Sequence, residues 1–218
     1  MLSGPGRPVT STIVLNGASS AGKSSLARAL QDRFARPLVA TGIDTWISAW
    51  PERFTAFPGE DGSPAAASSG LRIVPGRGAA PSWIVEFGAD AHRLLHLAHR
   101  CWAAFAEAGQ DQVIDHVLLD DQLKTDAAEM LHDAFWVALR CDLDVLVTRE
   151  AARGDRHVGF ASGTKAIVHD GVRYDLVLDS TTRSASELAD ELLGALGTWS
   201  PGHGTGARFE RSRPSMVP

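Results

Sequence analysis

The 218-residue sequence predicts an α/β fold, in which a parallel five-stranded sheet is covered by helices on both faces. Three observations support this prediction. Short apolar segments alternate along the chain with longer segments of helical periodicity. A glycine-rich run, Gly17–Ser24, separates the first apolar segment from the first helical one. Hydrophobic residues make up 44% of the chain, which is enough to bury one core in a chain of this length.

Five apolar segments are the predicted strands. They are a run that ends near Asn16, then Leu38–Ile43, Gln112–Asp115, Phe135–Cys141 and Tyr174–Asp179. The continuous apolar character of Phe135–Cys141 is typical of a strand that is buried on both faces. Ligands of such sheets bind at the carboxyl ends of the strands, so the polar residues that follow the strands are the candidate site residues.

The segments between these strands have helical patterns. The predicted helices are Lys23–Ala35, Thr45–Trp50, Phe87–Ala108, Gln122–His132, a segment that follows Asp142, and Ser184–Leu196. Asp142 suits the N-cap of its helix, and Ser184 with Glu187 has the spacing of a capping box. The longest helix has a predicted buried side, which carries Leu94, Leu95, Ala98, Trp102 and Phe105.

The chain is expected to form a single domain over residues 11–197. Residues 1–10 are a predicted flexible N-terminus, and residues 198–218 a predicted disordered tail rich in Pro, Gly, Ser and Arg. A long insertion at 51–82 is dense in Gly, Pro, Ala and Ser, with a short hairpin predicted near Leu71–Val74. The glycine-rich, basic segment at about 153–166 is a predicted lid.

Composition excludes several classes of protein. The net charge of −5 argues against a general binder of nucleic acid or of membrane surfaces, whose footprint is basic. No apolar stretch approaches the roughly 18 residues that a membrane span needs, and no signal peptide is expected at the start. Cys101 and Cys141 are predicted to be buried free thiols in a cytoplasmic protein. The oligomeric state stays open, and a homo-oligomer is allowed.

The run Gly17–Ser24 fits the phosphate-binding pattern G-x-x-x-x-G-K-[ST] at every fixed position. Its glycines let the backbone curl so that N–H groups point at an anion, which the following helix dipole also favours. Lys23 is expected to reach the β- and γ-phosphates of ATP or GTP, and Ser24 to ligate Mg²⁺. The predicted nucleotide-binding residues are Gly17, Ala18, Ser19, Ser20, Ala21, Gly22, Lys23, Ser24 and Ser25, together with Arg149 and Arg153.

Two carboxylates follow predicted strands. Asp44 is expected to lie beside the first strand, where it can accept a proton from a substrate hydroxyl; the alternative is an N-cap for the next helix. Asp115 ends the third strand, where a carboxylate can hold Mg²⁺ and face the substrate. His116 is a candidate second base or substrate contact, and the alternative is a hydrogen-bonded wall residue.

Three arginines, Arg149, Arg153 and Arg156, are spaced by four and three residues and share one face of a continuous helix. Arginines at the start of a lid neutralise charge on a phosphoryl group during its transfer and exclude water. The alternative is an exposed helix face with a weak Glu150–Arg153 pair. Their position in a chain with a phosphate-binding loop favours the functional interpretation.

Several stretches together resemble the chloramphenicol phosphotransferase family of small P-loop antibiotic kinases. They are Ile13–Ser24, Gly42–Asp44, Val113–Asp115 with Val117–Leu119, Arg140–Asp142, Arg149–Arg156, Val168–Asp175 and Asp179–Thr182. These stretches span about residues 12–182 in the order of the family. The Arg-Gly-Asp-Arg and His-x-Gly-Val-x-Tyr-Asp stretches are more specific than the phosphate-binding loop alone.

The resemblance implies a P-loop kinase-type fold and the ATP- and Mg²⁺-dependent phosphorylation of a hydroxyl on an antibiotic. It implies Asp44 as the general base, Lys23 and Ser24 as phosphate and metal contacts, and Arg153 and Arg156 as lid residues. His116 stands where a second Asp of the family is expected. The insertion at 51–82 is also longer and richer in Ala and Gly than the family pattern.

The acceptor is the least determined part of the prediction. The candidate walls of its pocket are Trp46, Trp50, Phe54, Phe57 and Trp83, each of which could equally be a core residue. The acceptor class is an antibiotic or a related natural product, which includes the substrate of a self-resistance enzyme. A metabolic kinase with a shikimate- or sugar-like acceptor and a non-catalytic, nucleotide-dependent switch are the alternatives.

Overall fold

The structure is a computed structural model, and it describes residues 11–56, 68–76, 82–153, 159–201 and 209. Several predictions fall outside these residues. They are the flexible N-terminus at 1–10, most of the tail after 198, the pocket wall Phe57 and the lid residue Arg156.

The described strands form two sheets. In chain order they are β1 (Thr12–Gly17), β2 (Val39–Gly42), β3 (Thr55–Ala56), β4 (Leu71–Pro75), β5 (Trp83–Phe87), β6 (Gln112–His116), β7 (Phe135–Arg140) and β8 (Leu176–Asp179). The main sheet has five parallel strands in the order β2-β6-β1-β7-β8. The predicted α/β fold with a parallel five-stranded sheet is therefore confirmed.

The second sheet has three strands in the order β3-β4-β5. Strands β3 and β4 lie within the segment predicted as an insertion at 51–82, and β5 follows it directly. Strand β4 pairs with β5 in antiparallel fashion, from Leu71 opposite Phe87 to Pro75 opposite Trp83. The hairpin predicted near Leu71–Val74 is therefore present. Its second strand was missed, because the prediction assigned Phe87 to the start of the next helix.

The helices lie between the strands as the alternation predicted. They are α1 (Lys23–Gln31), α2 (Ile43–Ser48), α3 (Ala89–Glu107), α4 (Asp121–Met130), α5 (Leu143–Arg153), α6 (Phe160–Lys165) and α7 (Ala185–Leu196), with a 3₁₀ turn at Glu52–Phe54. The capping box of α7 is confirmed, because the Ser184 side chain accepts from the Glu187 N–H and the Glu187 side chain accepts from the Ser184 N–H.

Helices cover both faces of the main sheet, each over its own apolar cluster. Leu26 and Leu30 of α1 pack with Leu188 and Leu192 of α7 on one face. On the other face, Trp102 of α3 and Leu123 of α4 pack against Val14, Ile114 and Trp136 of the sheet. The central strands are thus buried from both sides, which explains their continuous apolar character.

Strand β6 lies between β1 and β2, so the prediction that Asp44 lies beside the first strand is wrong. Gly42, the last residue of β2, pairs with Asp115 of β6. A Cβ at Gly42 would lie 2.5 Å from the carbonyl oxygen of Asp115, so glycine permits this close approach. Helix α2 begins at Ile43 with Gly42 as its N-cap, which places Asp44 in the first turn rather than at the cap.

The two cysteines differ in environment. Cys141 is buried as predicted, but Cys101 is exposed. Cys101 lies on the solvent side of α3 with Leu97 and Phe105, each of which is 43% exposed, so the burial predicted for Phe105 is also wrong. The buried side of α3 is carried instead by Leu95, Ala98 and Trp102. Among the described helices, none is long and apolar enough to cross a bilayer.

Candidate active site

A cleft of about 550 Å³ opens at the carboxyl ends of the main-sheet strands. It is lined by Ser19, Ser20, Ala21, Gly22, Lys23, Ser24, Ser25, Asp44, Asp115, Val117, Arg149, Ala152, Arg153, Ser180, Arg183, Ser184, Ala185 and Leu188. Most of the predicted nucleotide-binding residues meet here, together with both candidate carboxylates. The cleft lies where ligands of parallel sheets bind.

The loop between β1 and α1 has the curled backbone that its glycines predicted. Gly22 has φ of 94° and Ser20 has φ of 63°, both in the left-handed region. Glycine adopts this region without penalty, whereas a non-glycine residue there indicates backbone held by its surroundings. The Ser20 hydroxyl is buried and has no hydrogen-bond partner within the described part of the chain. A curled loop with an unpaired hydroxyl at the start of a helix fits a bound phosphate.

Lys23 is the first residue of α1, and its side chain folds back over the loop. The ammonium Nζ donates to the carbonyl oxygens of Gly17, at 3.0 Å, and Ala18, at 2.9 Å. It also lies 3.6 Å from Oδ1 of Asp115, and the Lys23 side chain is only 6% exposed. A buried cation beside such a loop has the charge that phosphate oxygens require of a binding site.

Ser24 and Asp115 form the part of the cleft that suits a divalent cation. The Ser24 hydroxyl donates to Oδ2 of Asp115 over 2.6 Å. A hydroxyl and a carboxylate oxygen are hard ligands of the kind that Mg²⁺ takes, with phosphate oxygens and water as the other ligands. The residues present therefore fit Mg²⁺.

Asp44 lines the same cleft as the phosphate-binding loop. It is exposed, and it is positioned by the first turn of α2, which starts directly at the end of β2. Because β2 pairs with β6, Asp44 and Asp115 line the same cleft from adjacent strand ends. This arrangement can place an acceptor hydroxyl at Asp44 and a phosphate chain along Lys23 and Ser24.

The arginines of α5 line the cleft near the end of β8, at the other edge of the sheet from β2. Arg149 donates to the carbonyl oxygen of Ser180 at 2.7 Å and to the Ser180 hydroxyl at 3.3 Å, which fixes its guanidinium beside the strand end of β8. Arg153 ends α5 and also lines the cleft. The sequence prediction missed Arg183 and Ser180, which follow β8. The rule that ligands bind at strand ends would have found them.

The role predicted for His116 at the substrate does not agree with its position. His116 has no exposed surface, and its Nε2 lies 2.8 Å from Nε2 of His99 in α3. Burial, and then the neighbouring His99, hold the pKa of His116 well below its usual value. Neighbouring residues of a strand face opposite sides, so Asp115 faces the cleft and His116 faces the core.

The aromatic residues that were predicted to line the acceptor pocket lie in two different environments. Trp46 packs against the core cluster under α3 and α4, as the core alternative expected. Trp50 stacks on Phe54 with their ring centroids 5.6 Å apart, and Arg53 lies over the Phe54 ring. Trp83 is the first residue of β5. None of the four predicted walls that the structure describes lines the 550 Å³ cleft, so an acceptor that touches Trp50 or Phe54 extends beyond it.

A buried polar network underlies the phosphate-binding loop. Asn16, at the end of β1, donates from Nδ2 to the Val168 carbonyl at 2.8 Å and to the Tyr174 hydroxyl at 2.6 Å, and its Oδ1 accepts from the Leu118 N–H at 3.1 Å. The Tyr174 hydroxyl lies 2.9 Å from Nδ1 of His169. Burial, and then the positive charges of Arg140 and Lys23, lower the pKa of His169 to about 4. His169 is therefore neutral at pH 7 and accepts from Tyr174.

This network predicts a loss of stability in acid. The unfolded chain takes up a proton on His169 as the pH falls through about 6.5, whereas the folded chain does so only near 4. Stability should therefore fall by about 1–2 kcal/mol between pH 7 and 4 through this group, after a discount for its partial exposure. His169→Asn should flatten this part of the urea-unfolding profile, while replacement of the exposed His132 by Asn should not. Equal profiles for the wild type and both variants would show that His169 does not cause the loss of stability in acid.

Comparison with known families gives one match over most of the chain. The family model described as chloramphenicol phosphotransferase-like protein matches residues 10–196. In two strains of Mycobacterium tuberculosis, a protein provisionally named an O-phosphotransferase is 30% identical over 195 residues. That alignment covers 86% of this chain and 82% of the relative.

Solved structures, among them two kinases, share the fold. A sugar kinase from Janibacter sp. HTCC2649 has a TM-score of 0.57 at 18% identity, over 86% of this chain and 95% of its own. The APS kinase CysC of Mycobacterium tuberculosis, in complex with AMPPNP and APS, has a TM-score of 0.56 at 17% identity, over 88% of this chain and 99% of its own. The tunicamycin resistance protein of Deinococcus radiodurans has a TM-score of 0.56 at 15% identity, over 88% of this chain and 98% of its own. The fold is that of the P-loop kinases.

Proposed function

Because this chain belongs to the chloramphenicol phosphotransferase-like family and has a kinase fold, we propose that it transfers a phosphoryl group from ATP to a small-molecule hydroxyl. The acceptor class proposed is an antibiotic or a related natural product. One observation carries the proposal: Asp44, Asp115, Lys23 and Ser24 line a single cleft at the end of the parallel sheet. A base, a metal-binding pair and a phosphate-binding cation are the parts that phosphoryl transfer requires.

The nucleotide would be held by the loop at Gly17–Ser24. Its backbone N–H groups and Lys23 would bind the phosphates, and Arg149 and Arg153 would border the nucleotide from α5. Ser24 and Asp115 would hold Mg²⁺, which neutralises charge on the β- and γ-phosphate oxygens when bound. GTP has the same phosphates and is kept as an alternative donor.

The acceptor would approach from the side of α2. As its hydroxyl oxygen bonds to the γ-phosphorus, Asp44 takes the hydroxyl proton, and the bond from that phosphorus to the β–γ bridging oxygen breaks. The products are the phosphorylated acceptor and ADP. Lys23 and Arg153 stabilise the negative charge that develops on the migrating group, with Arg156 as a further lid residue. The stacked Trp50–Phe54 pair, in the segment that follows α2, is assigned to an apolar part of the acceptor that extends beyond the cleft.

The test is a mass-spectrometric screen of the purified protein with Mg²⁺ and ATP or GTP. The acceptor panel contains hydroxyl-bearing antibiotics, including chloramphenicol, and also shikimate and simple sugars. An antibiotic that gains one phosphate supports the proposal, and the modified hydroxyl is the one that faces Asp44. Phosphorylation of shikimate or a sugar alone would instead favour a metabolic kinase, and nucleotide binding without any product would favour a switch protein.

A further inference from the structure

Helix α6 contacts both the phosphate-binding loop and the three-stranded sheet. We propose that α6 transmits nucleotide occupancy to this sheet, and that Thr164 is the positioning residue which ties α6 to the loop. The inference rests on the proposed function, because it requires that the loop binds a nucleotide. The lid was predicted at about 153–166, but its second half is the helix α6, in which Ala161, Gly163 and Thr164 are buried.

The contact with the loop is a buried hydrogen bond. The Ser19 N–H donates to Oγ1 of Thr164 over 3.0 Å, and the Thr164 side chain is only 3% exposed. The same hydroxyl donates to the carbonyl oxygen of Phe160 at 2.8 Å, so its orientation is set from both sides. A rearrangement of the loop around phosphates therefore acts directly on α6, since a buried N–H is costly to leave unpaired.

The contact with the small sheet is made by the backbone. The Trp83 N–H, at the start of β5, donates to the carbonyl oxygen of Gly159 over 3.1 Å. Gly163 packs so closely on Trp83 that a Cβ there would overlap the Trp83 carbonyl oxygen. Because the backbones of α6 and β5 are in direct contact here, a shift of one element displaces the other.

A third contact joins α6 to the helix that carries the cleft arginines. The carboxylate of Glu150 in α5, which is 1% exposed, accepts from the N–H groups of Gly159, at 2.7 Å, and Ala161, at 2.8 Å. Gly159 has φ of 114°, a conformation that favours glycine. Arg153 lies one helical turn after Glu150 on the same helix. Helix α6 is thus held at the loop, at the small sheet and at the arginine helix.

Through these contacts, nucleotide binding at the loop can affect the side of the protein that would bind the acceptor. The small sheet connects to Asp44 through α2 and the segment that follows it, and β5 leads directly into α3. Nucleotide binding at the loop should favour one position of α6 and so one position of β5 and β4, which pairs with it. In thermodynamic terms the two sites are coupled, and the Thr164 hydroxyl is the direct link from the loop to α6.

Hydrogen exchange of the full chain, with and without Mg²⁺ and the ATP analogue AMPPNP, tests this coupling. In the wild type, saturating AMPPNP should slow amide exchange in Leu71–Pro75 and Trp83–Phe87 at least about fivefold, the low end of allosteric coupling. Thr164→Val removes the hydroxyl and should abolish the response. Thr164→Ser retains it and should restore the response. Thr148→Val is the matched control, because the exposed Thr148 hydroxyl also bonds a helix carbonyl but contacts neither partner.

Calorimetric titration of AMPPNP on the same samples separates the two proposals. If the wild type binds AMPPNP and exchange in the two strands does not change, the inference is overturned and the proposed function stands. If no AMPPNP binds, the proposed transfer from ATP fails and the inference fails with it. A Thr164→Val protein that binds AMPPNP and responds like the wild type overturns the role of Thr164. Exchange of the wild type with and without AMPPNP decides whether the loop and the sheet are coupled, even if the Thr164→Val protein does not fold.

Discussion

Replacing Asp44 by Asn is expected to lower kcat by about 10²–10⁴-fold, the contribution typical of a positioned general base. The amide has nearly the same shape but cannot take the acceptor's proton. Nucleotide affinity should be retained, because the loop, Lys23 and the Ser24–Asp115 pair are unchanged. The measurement is the steady-state rate on an acceptor from the mass-spectrometric screen, together with calorimetric titration of AMPPNP.

The matched control is Asp144→Asn. Asp144 occupies the first turn of α5 as Asp44 occupies the first turn of α2, but it does not line the cleft. Both substitutions remove a charge that favours a helix N-terminus, so both should cost about 0.3–1 kcal/mol of stability. Only the Asp44 variant should lose turnover. An Asp44→Asn protein with wild-type kcat would remove Asp44 from the mechanism.

Replacing Lys23 by Met is expected to lower kcat by about 10²–10³-fold, the cost of removing one group that stabilises charge in the transition state. Nucleotide binding should weaken as well, because the Lys23 ammonium is held over the loop by two carbonyl oxygens, next to the Asp115 carboxylate. Methionine fills a similar volume, so the helix α1 should persist. Circular dichroism and AMPPNP titration check the fold and the affinity before the rate is compared.

Lys165→Met controls for the loss of a lysine. The Lys165 ammonium also donates to a backbone carbonyl, that of Cys141, but it does not line the cleft. Its replacement should leave kcat and AMPPNP affinity near those of the wild type. Comparable losses in both variants would indicate a general effect on stability and would count against the role of Lys23 in catalysis.

The predicted residues that the structure brings to the cleft are those whose position follows from local chemistry. Lys23 and Ser24 lie where the loop pattern puts them, because the pattern joins a strand end to a helix start. Asp115 was found because the carboxyl ends of parallel strands meet at one edge. Arg183 and Thr164 were missed, since neither belongs to a local pattern and only folding brings them to the loop.

The errors have equally specific causes. Alternation along β6 placed Asp115 and His116 on opposite faces, but the sequence did not show which face was the cleft. His116 therefore lies with His99 in the core. Cys101 was predicted to be buried because it lies in an apolar segment of the sequence. The packing of Trp102 against the sheet decides which side of α3 faces solvent.

The sequence by itself determined the five strands of the main sheet, the helices between them other than α6, and the loop, because alternation, periodicity and the glycines at 17 and 22 act within a few residues. The tertiary structure decided the order of the strands, because pairing between distant segments depends on which apolar faces pack together. By placing β6 between β1 and β2, that order brought Asp44 beside Asp115 and turned His116 inward. It also put α6 between the loop and the small sheet, a contact across about 80 and 145 residues of chain that no local pattern encodes.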